Sequence, residues 1–249
     1  MINEHEWLAS IDPAAMLAHL MSAKGKWVDS WRPPSDRKLR LFACACCRLS
    51  WSNLRDRWSR TAIEVSERYA DGLESLESLL AADADADRAS RHDLLEAETA
   101  AIVPTFWIAH ENLSGTAMES ILAYSGKPVD QARLLREIVG NPFAPVLLPW
   151  RCRGCGIPCG QPAAGYYCVR CGADEAGCLL WLTQEVRQLA QVAYSEQTSD
   201  GTLDPHRLAV LSDALEEATG EEVLLHHLRS PEPHVRGCWA IDLLLGKEL

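Results

Sequence analysis

No run of 18 or more uncharged apolar residues occurs in this 249-residue chain, so the sequence offers no membrane-spanning helix. The start, MINEHEWLASIDP, has acids where a secretory leader has a basic segment, and no leader is expected. Positive charge is in deficit. Against 35 Asp and Glu stand 24 Lys and Arg, a net of −11, which disfavours a surface given over to nucleic acid or anionic membrane. No GxSxG, HExxH, phosphate-loop or GxGxxG pattern is found, so no enzyme class is indicated. No fixed-period repeat is found either, which excludes a solenoid. What is there is ordinary for a globular protein: 47% apolar and 24% charged residues. A chain this long buries enough surface to hold a core without disulfides.

The charge is uneven along the chain. Residues 24–60 hold ten bases (Lys24, Lys26, Arg32, Arg37, Lys38, Arg40, Arg48, Arg55, Arg57 and Arg60) against Asp29, Asp36 and Asp56. Residues 61–101 carry eleven acids against three bases, and residues 179–249 twelve against five. The plain reading is that the basic stretch faces the acidic helices inside one fold. The alternative is an exposed nucleic-acid patch in which Trp27, Trp31, Trp51 and Trp58 stack on bases.

Helical patterns dominate. Asp12-Pro13 reads as a cap followed by proline at the first helical position, opening a helix to about Met21. Ser35 caps a helix to about Ser52, with Leu39, Phe42, Cys46 and Leu49 on its apolar face and Arg37, Arg40 and Arg48 opposite. Further helices are expected over 60–70, stopping at Gly72, over 73–101 as one or two exposed pieces, and over 105–124 and 129–139. NPFAPVLLPW at 141–150 holds three prolines and is expected to be extended. Helical pattern resumes with Thr183 to Ala193, Asp204-Pro205 to Gly220, a short piece at 221–229, and a last helix from His234 to Leu245 closed by Gly246.

Residues 152–172 read CRGCGIPCGQPAAGYYCVRCG and have no helical period. The pattern is Cys152-x2-Cys155, twelve residues, then Cys168-x2-Cys171, each pair followed by glycine. Two cysteines two residues apart in a tight turn can aim both sulfurs at one ion. A following glycine of positive φ lets backbone N–H groups approach the thiolates. Four thiolates at about 2.3 Å in a tetrahedron suit Zn²⁺. A segment with so few large apolar groups would draw its folding energy from the metal. Tyr166 and Tyr167 fit a strand of a small hairpin. Cys159 is an alternative to Cys155 as ligand, and Cys178 reads as a packing thiol. Four protein thiolates leave no open position, so the zinc is read as structural.

Other clusters are weaker. Cys44, Cys46 and Cys47 lie on the basic helix, where Cys44 falls among arginines that would lower its pKa and make it reactive. The plain reading makes all three small buried hydrophobes. His234 and Cys238, one helical turn apart, are candidates to meet Cys44 and Cys47 in a second metal site. His226-His227, His110-Glu111 and His92-Asp93 are local pairs without a partner pattern.

Both ends of the chain carry a resemblance. EWLASIDPAAMLAHL at 6–20, SDRKLRLFACACCRLSW at 35–51 and AIEVSERYADGL at 62–73 resemble the front half of a large paralogous family of uncharacterised planctomycete proteins. LLREIVGNPFAPV at 134–146, LSDALEEATG at 211–220 and PHVRGCWAIDLLLGK at 233–247 resemble its back half. The resemblance spans most of the chain except about 150–178. It implies one helical fold closed by both ends, with the zinc ribbon inserted, and it implies no activity.

The sequence therefore predicts a mainly α protein: a helical bundle-like domain with an inserted zinc-ribbon β-hairpin. The N-terminal helical region is 1–149, the ribbon 150–178 and the C-terminal helical region 179–249, packing on the first. The expected function is that of a cytoplasmic, non-catalytic zinc-binding module that contacts protein. The alternatives are nucleic-acid binding through 24–60 with the ribbon, and an enzyme with a cleft near Cys44.

Overall fold

The structure, a computed structural model, describes residues 2–22, 34–54, 56–93, 122, 127–146, 150–152, 158–159, 170–172, 178–180, 182–218 and 222–247, with backbone alone for 89–93 and the three strands. It is mainly helical, and no described helix is long and apolar enough to cross a membrane.

The N-terminal helices start at their caps. Helix α1 (Glu4–Ala9) opens with a capping box in which the Asn3 side chain accepts from the Glu6 N–H and the Glu6 carboxylate accepts from the Asn3 N–H. Helix α2 (Pro13–Ser22) begins at the Asp12-Pro13 signal, with Asp12 accepting from the Ala15 N–H at 3.0 Å. Helix α3 (Asp36–Arg48) is capped by the Ser35 hydroxyl, which accepts from the Lys38 N–H at 3.3 Å.

Helix α3 differs from its sequence reading. It ends at Arg48, and a short 3₁₀ turn (Trp51–Asn53) takes the residues expected to continue it. Nor is it amphipathic in place, because every side chain from Lys38 to Cys47 is buried. The reason is that α4 (Arg57–Ala70) and α6 (Pro128–Val139) flank it. Its cations are matched internally. Arg48 pairs with both oxygens of Glu67 and lies over the Trp51 ring, and Arg40 lies over Tyr69. Helix α5 (Leu76–Asp93) packs on α4 through Ala62, Ala82 and Ala86. The helix expected over 105–124 lies, apart from Leu122, outside the described residues, as do Trp27 and Trp31.

Three short strands, β1 (Trp150–Cys152), β2 (Pro158–Cys159) and β3 (Cys178–Leu180), form a sheet in the order β2-β1-β3. Both pairings are antiparallel, and Cys152 stands opposite Cys178, so the two ends of the cysteine-rich segment are neighbours. Residues 141–144 form a turn, not the extended chain expected from three prolines. Asn141 side chain and carbonyl accept from the Phe143 and Ala144 N–H groups.

The C-terminal helices α7 (Gln184–Ser195), α8 (Pro205–Ala218), α9 (Glu222–Leu228) and α10 (Trp239–Leu245) build a second core around Ala190, Leu211, Leu224 and Ile241. The first core gathers Trp7, Met16, Phe42, Leu135 and the three α3 cysteines. Buried ions join the two. Arg37 grips both Asp242 oxygens at 2.7 and 2.9 Å. Asp71 accepts from Arg37, Tyr194, Arg236 and Lys247. Burial pushes the Asp71 carboxyl up, but Arg37, Lys247 and Tyr194 outweigh it and hold the pKa below the ordinary value.

Lys38 is buried within the same ion network. Its ammonium is 1% exposed and donates to the Ile138 carbonyl at 2.8 Å and the Gly237 carbonyl at 2.8 Å, with Asp242 at 2.7 Å. An ammonium has three N–H donors, and each has an acceptor. Burial pushes its pKa down and Asp242 opposes the shift.

Candidate metal centre

The last residues that Lys38 fastens frame a cluster of donors. On α6, Gln131, Ala132, Leu134, Leu135 and Ile138 face inward, and Glu137 sits on the shoulder of that face, buried in the final turn. Gly140 closes the helix at φ +79. A Cβ there would be strained and would stand 3.2 Å from Cγ of Trp239, while the Gly140 carbonyl accepts from the Trp7 indole at 3.2 Å. On the other side, α9 carries His227 in its last turn, and residues 229–238 turn back toward α10. Here the sequence reading is corrected: His234–Cys238 is not the first turn of the last helix. The His234 carbonyl accepts from the Leu203 N–H, Val235 bridges to Thr202, and Gly237 has φ +88, with Leu41 2.9 Å from where a Cβ would lie. Helix α10 starts only after Cys238.

This path brings Glu137, His227, His234 and Cys238 together, one ligand atom of each lying within 4.8 Å of all the others. The Glu137 carboxylate bridges the two imidazoles, with Oε2 3.2 Å from His227 Nε2 and Oε1 2.9 Å from His234 Nδ1. His227 Nε2 is also 3.2 Å from Cys238 Sγ. His234 Nε2 is buried, and the Ser230 backbone near the ring favours a proton on the imidazole. The T-shaped contact of His227 with His234 and the tilted contact with Trp239 at 4.7 Å fix the first ring.

The electrostatics match the geometry. Burial pushes Glu137 up, but hydrogen bonds from His227 and His234 hold its carboxyl at about 2. Burial lowers His234, and Glu137 reverses that and raises it. Burial, with Glu137 beside it, pushes the Cys238 thiol well up, against the pull of the Ala240 and Ile241 N–H groups. One oxygen, two nitrogens and one sulfur can surround a single ion. In a tetrahedron of 2.0–2.3 Å bonds the donors stand about 3.3–3.7 Å apart, so the pairs at 2.9 and 3.2 Å need to open by a few tenths of an ångström and wider pairs, all within 4.8 Å, to close by up to about 1 Å.

The structure brings together half of the candidate second set. His234 and Cys238 belong to the cluster, whose other members are Glu137 and His227 and not Cys44 or Cys47. Cys44 is fully buried, its Sγ donating to the Ile63 carbonyl at 3.9 Å, and burial pushes its thiol up to about 12. The arginines on α3 do not overcome that burial, which counts against the reactive reading of Cys44, and Cys44 is not among the residues that line the described cleft. Of the four ribbon cysteines, Cys155 and Cys168 lie outside the described residues, Cys152 is described by its backbone in β1, and Cys171 is exposed in a turn. Gly172 after it has φ +74, the left-handed geometry expected for the second CxxCG turn.

Sequence reasoning missed Glu137 and His227. Glu137 is one acid among 35 acidic residues, and His227 belonged to a pair with no partner in sequence. The chain matches no protein-family model, no curated protein and no solved structure.

Proposed function

We propose that the chain is a non-catalytic zinc-binding module that works by contacting another protein. The observation that carries this reading is the convergence of Glu137, His227, His234 and Cys238, from three separate parts of the chain, on one point. A mixed O, N₂, S donor set in a buried place suits Zn²⁺, which has no geometric demand of its own and accepts all three donor types. The four cysteines 152, 155, 168 and 171 form a second, all-thiolate zinc site in this proposal, which places the protein in a reducing compartment. In this proposal the ribbon of residues 150–178 is the surface offered to the partner. Protein is favoured over nucleic acid because Arg37, Lys38 and Arg48, at the centre of the basic stretch, are spent on Asp71, Asp242 and Glu67.

Metal analysis of the purified full chain tests this. About two zinc ions per chain are expected, falling to one in Cys155→Ala and to one in His227→Ala. A zinc content unchanged by His227→Ala would overturn the Glu–His–His–Cys centre. A content unchanged by Cys155→Ala would overturn the ribbon site.

A further inference from the structure

Two of the four donors look outward. Glu137 and His227 form part of the wall of a cleft of about 1090 Å³, whereas His234 and Cys238 do not. An ion held by the four would thus stand at the inner end of an open space and be reached past Glu137 and His227. The rest of that wall is largely apolar: the indoles of Trp7 and Trp239, Val139, and at the rim Leu8 and Val223, which are 54% and 53% exposed. Its cationic side chains have partners within the protein, acids for most of them and carbonyl oxygens alone for Arg136. Arg133 lies between Asp130 and Glu232, Arg136 donates to the Trp7 and Ser10 carbonyls, and Lys38 and Lys247 hold Asp242 and Asp71.

From this geometry we infer that the cleft binds a small molecule with an uncharged apolar body and a single oxygen- or sulfur-donor head that coordinates the metal. Each part follows from an observation. The volume is that of a small-molecule site rather than of a polypeptide groove. With Lys38, Lys247 and Arg133 paired to acids and Arg136 hydrogen-bonded to carbonyls, the wall favours an apolar body, since a buried charge without a partner is costly. The ion would supply a polar attraction at the inner wall, beside Glu137 and His227. Unlike a site of four thiolates, one that has an oxygen and two nitrogens among its four donors lets zinc or cobalt expand to five ligands, so the head group can join the protein donors. The site makes the module one that responds to its ligand, and it rests on the zinc reading above.

The test uses the full chain loaded with Co²⁺ and two probes that differ only in their alkyl tail, acetohydroxamic acid and octanohydroxamic acid. Both heads should change the visible spectrum of the bound cobalt. The longer probe should half-saturate that change at a concentration lower by about thirtyfold or more, the effect of two to three buried methylenes. His227→Ala should abolish the probe-induced change. Val223→Trp, which fills the rim without touching a donor, should keep the cobalt spectrum and lose the advantage of the longer tail. Bound cobalt that ignores both probes, equal binding of the two, or a response that survives His227→Ala would overturn the ligand site and leave the metal centre standing. A chain with no cobalt spectrum sensitive to His227→Ala would overturn the centre and the ligand site with it.

Discussion

Replacing Lys38 with methionine should cost far more than a surface lysine would. Methionine keeps much of the volume but removes three donors at once, leaving the Ile138 and Gly237 carbonyls unpaired and Asp242 short of one cation. Removing one partner of a buried pair costs about 3–5 kcal/mol. Arg37 still holds both Asp242 oxygens, so the lower end, about 3 kcal/mol, is expected. With a urea dependence of about 3 kcal/mol per molar for a chain of this size, the unfolding midpoint should fall by about 1 M. Because the two carbonyls belong to the neighbours of Glu137 and Cys238, zinc affinity should fall as well, by about tenfold to a hundredfold. Urea titration followed by far-ultraviolet circular dichroism reads the first effect, and competition with a coloured chelator reads the second. Lys247→Met is the control: that lysine is partly exposed and shares Asp71 with three other donors, so its loss should cost about 1 kcal/mol or less. A Lys38→Met chain as stable as the control would refute the assigned role.

Other expectations follow from the same structure. Gly140→Ala forces a side chain into a positive-φ position against Trp239 and should destabilise by about 1–3 kcal/mol, read by thermal unfolding. Cys44, Cys46 and Cys47 should resist a thiol reagent in the folded protein at pH 8 and react only on unfolding, because burial raises all three. The Asp71 carboxyl has a folded pKa below its unfolded one, so its stabilisation is complete above about pH 4 and is lost as the pH falls through the folded value. Asp71→Asn should therefore show a flatter fall in urea midpoint between pH 5 and pH 3 than the parent. Chelation of zinc should lower the melting temperature of the parent, and part of that drop should vanish in His227→Ala.

Much of the helical layout was readable because caps act locally. Asp12-Pro13, Ser35, Thr183 and Asp204-Pro205 each open a helix, and Gly72, Gly140 and Gly246 each follow one. Features set by distant packing were not readable. The polar face of α3 is a polar face only in isolation. Once α4 and α6 cover it, Lys38 and Arg40 become interior groups. The metal donors were legible by half. His234 and Cys238 stood out by spacing, yet the spacing argument used a helix that Gly237 and the Val235 bridge replace with a turn. Glu137 and His227 carry no local sign of their role, since only the return of residues 229–238 against α6 brings them together.

The Asp71 carboxylate has a consequence for biosynthesis. It lies at the end of α4, yet two of its cations arrive 165 and 176 residues later in the chain, at Arg236 and Lys247. While the chain is still emerging from the ribosome, Arg37 is the one of these partners already made, and water must serve the remaining acceptor sites. The set of four donors is complete only after the segment through Lys247 has left the exit tunnel.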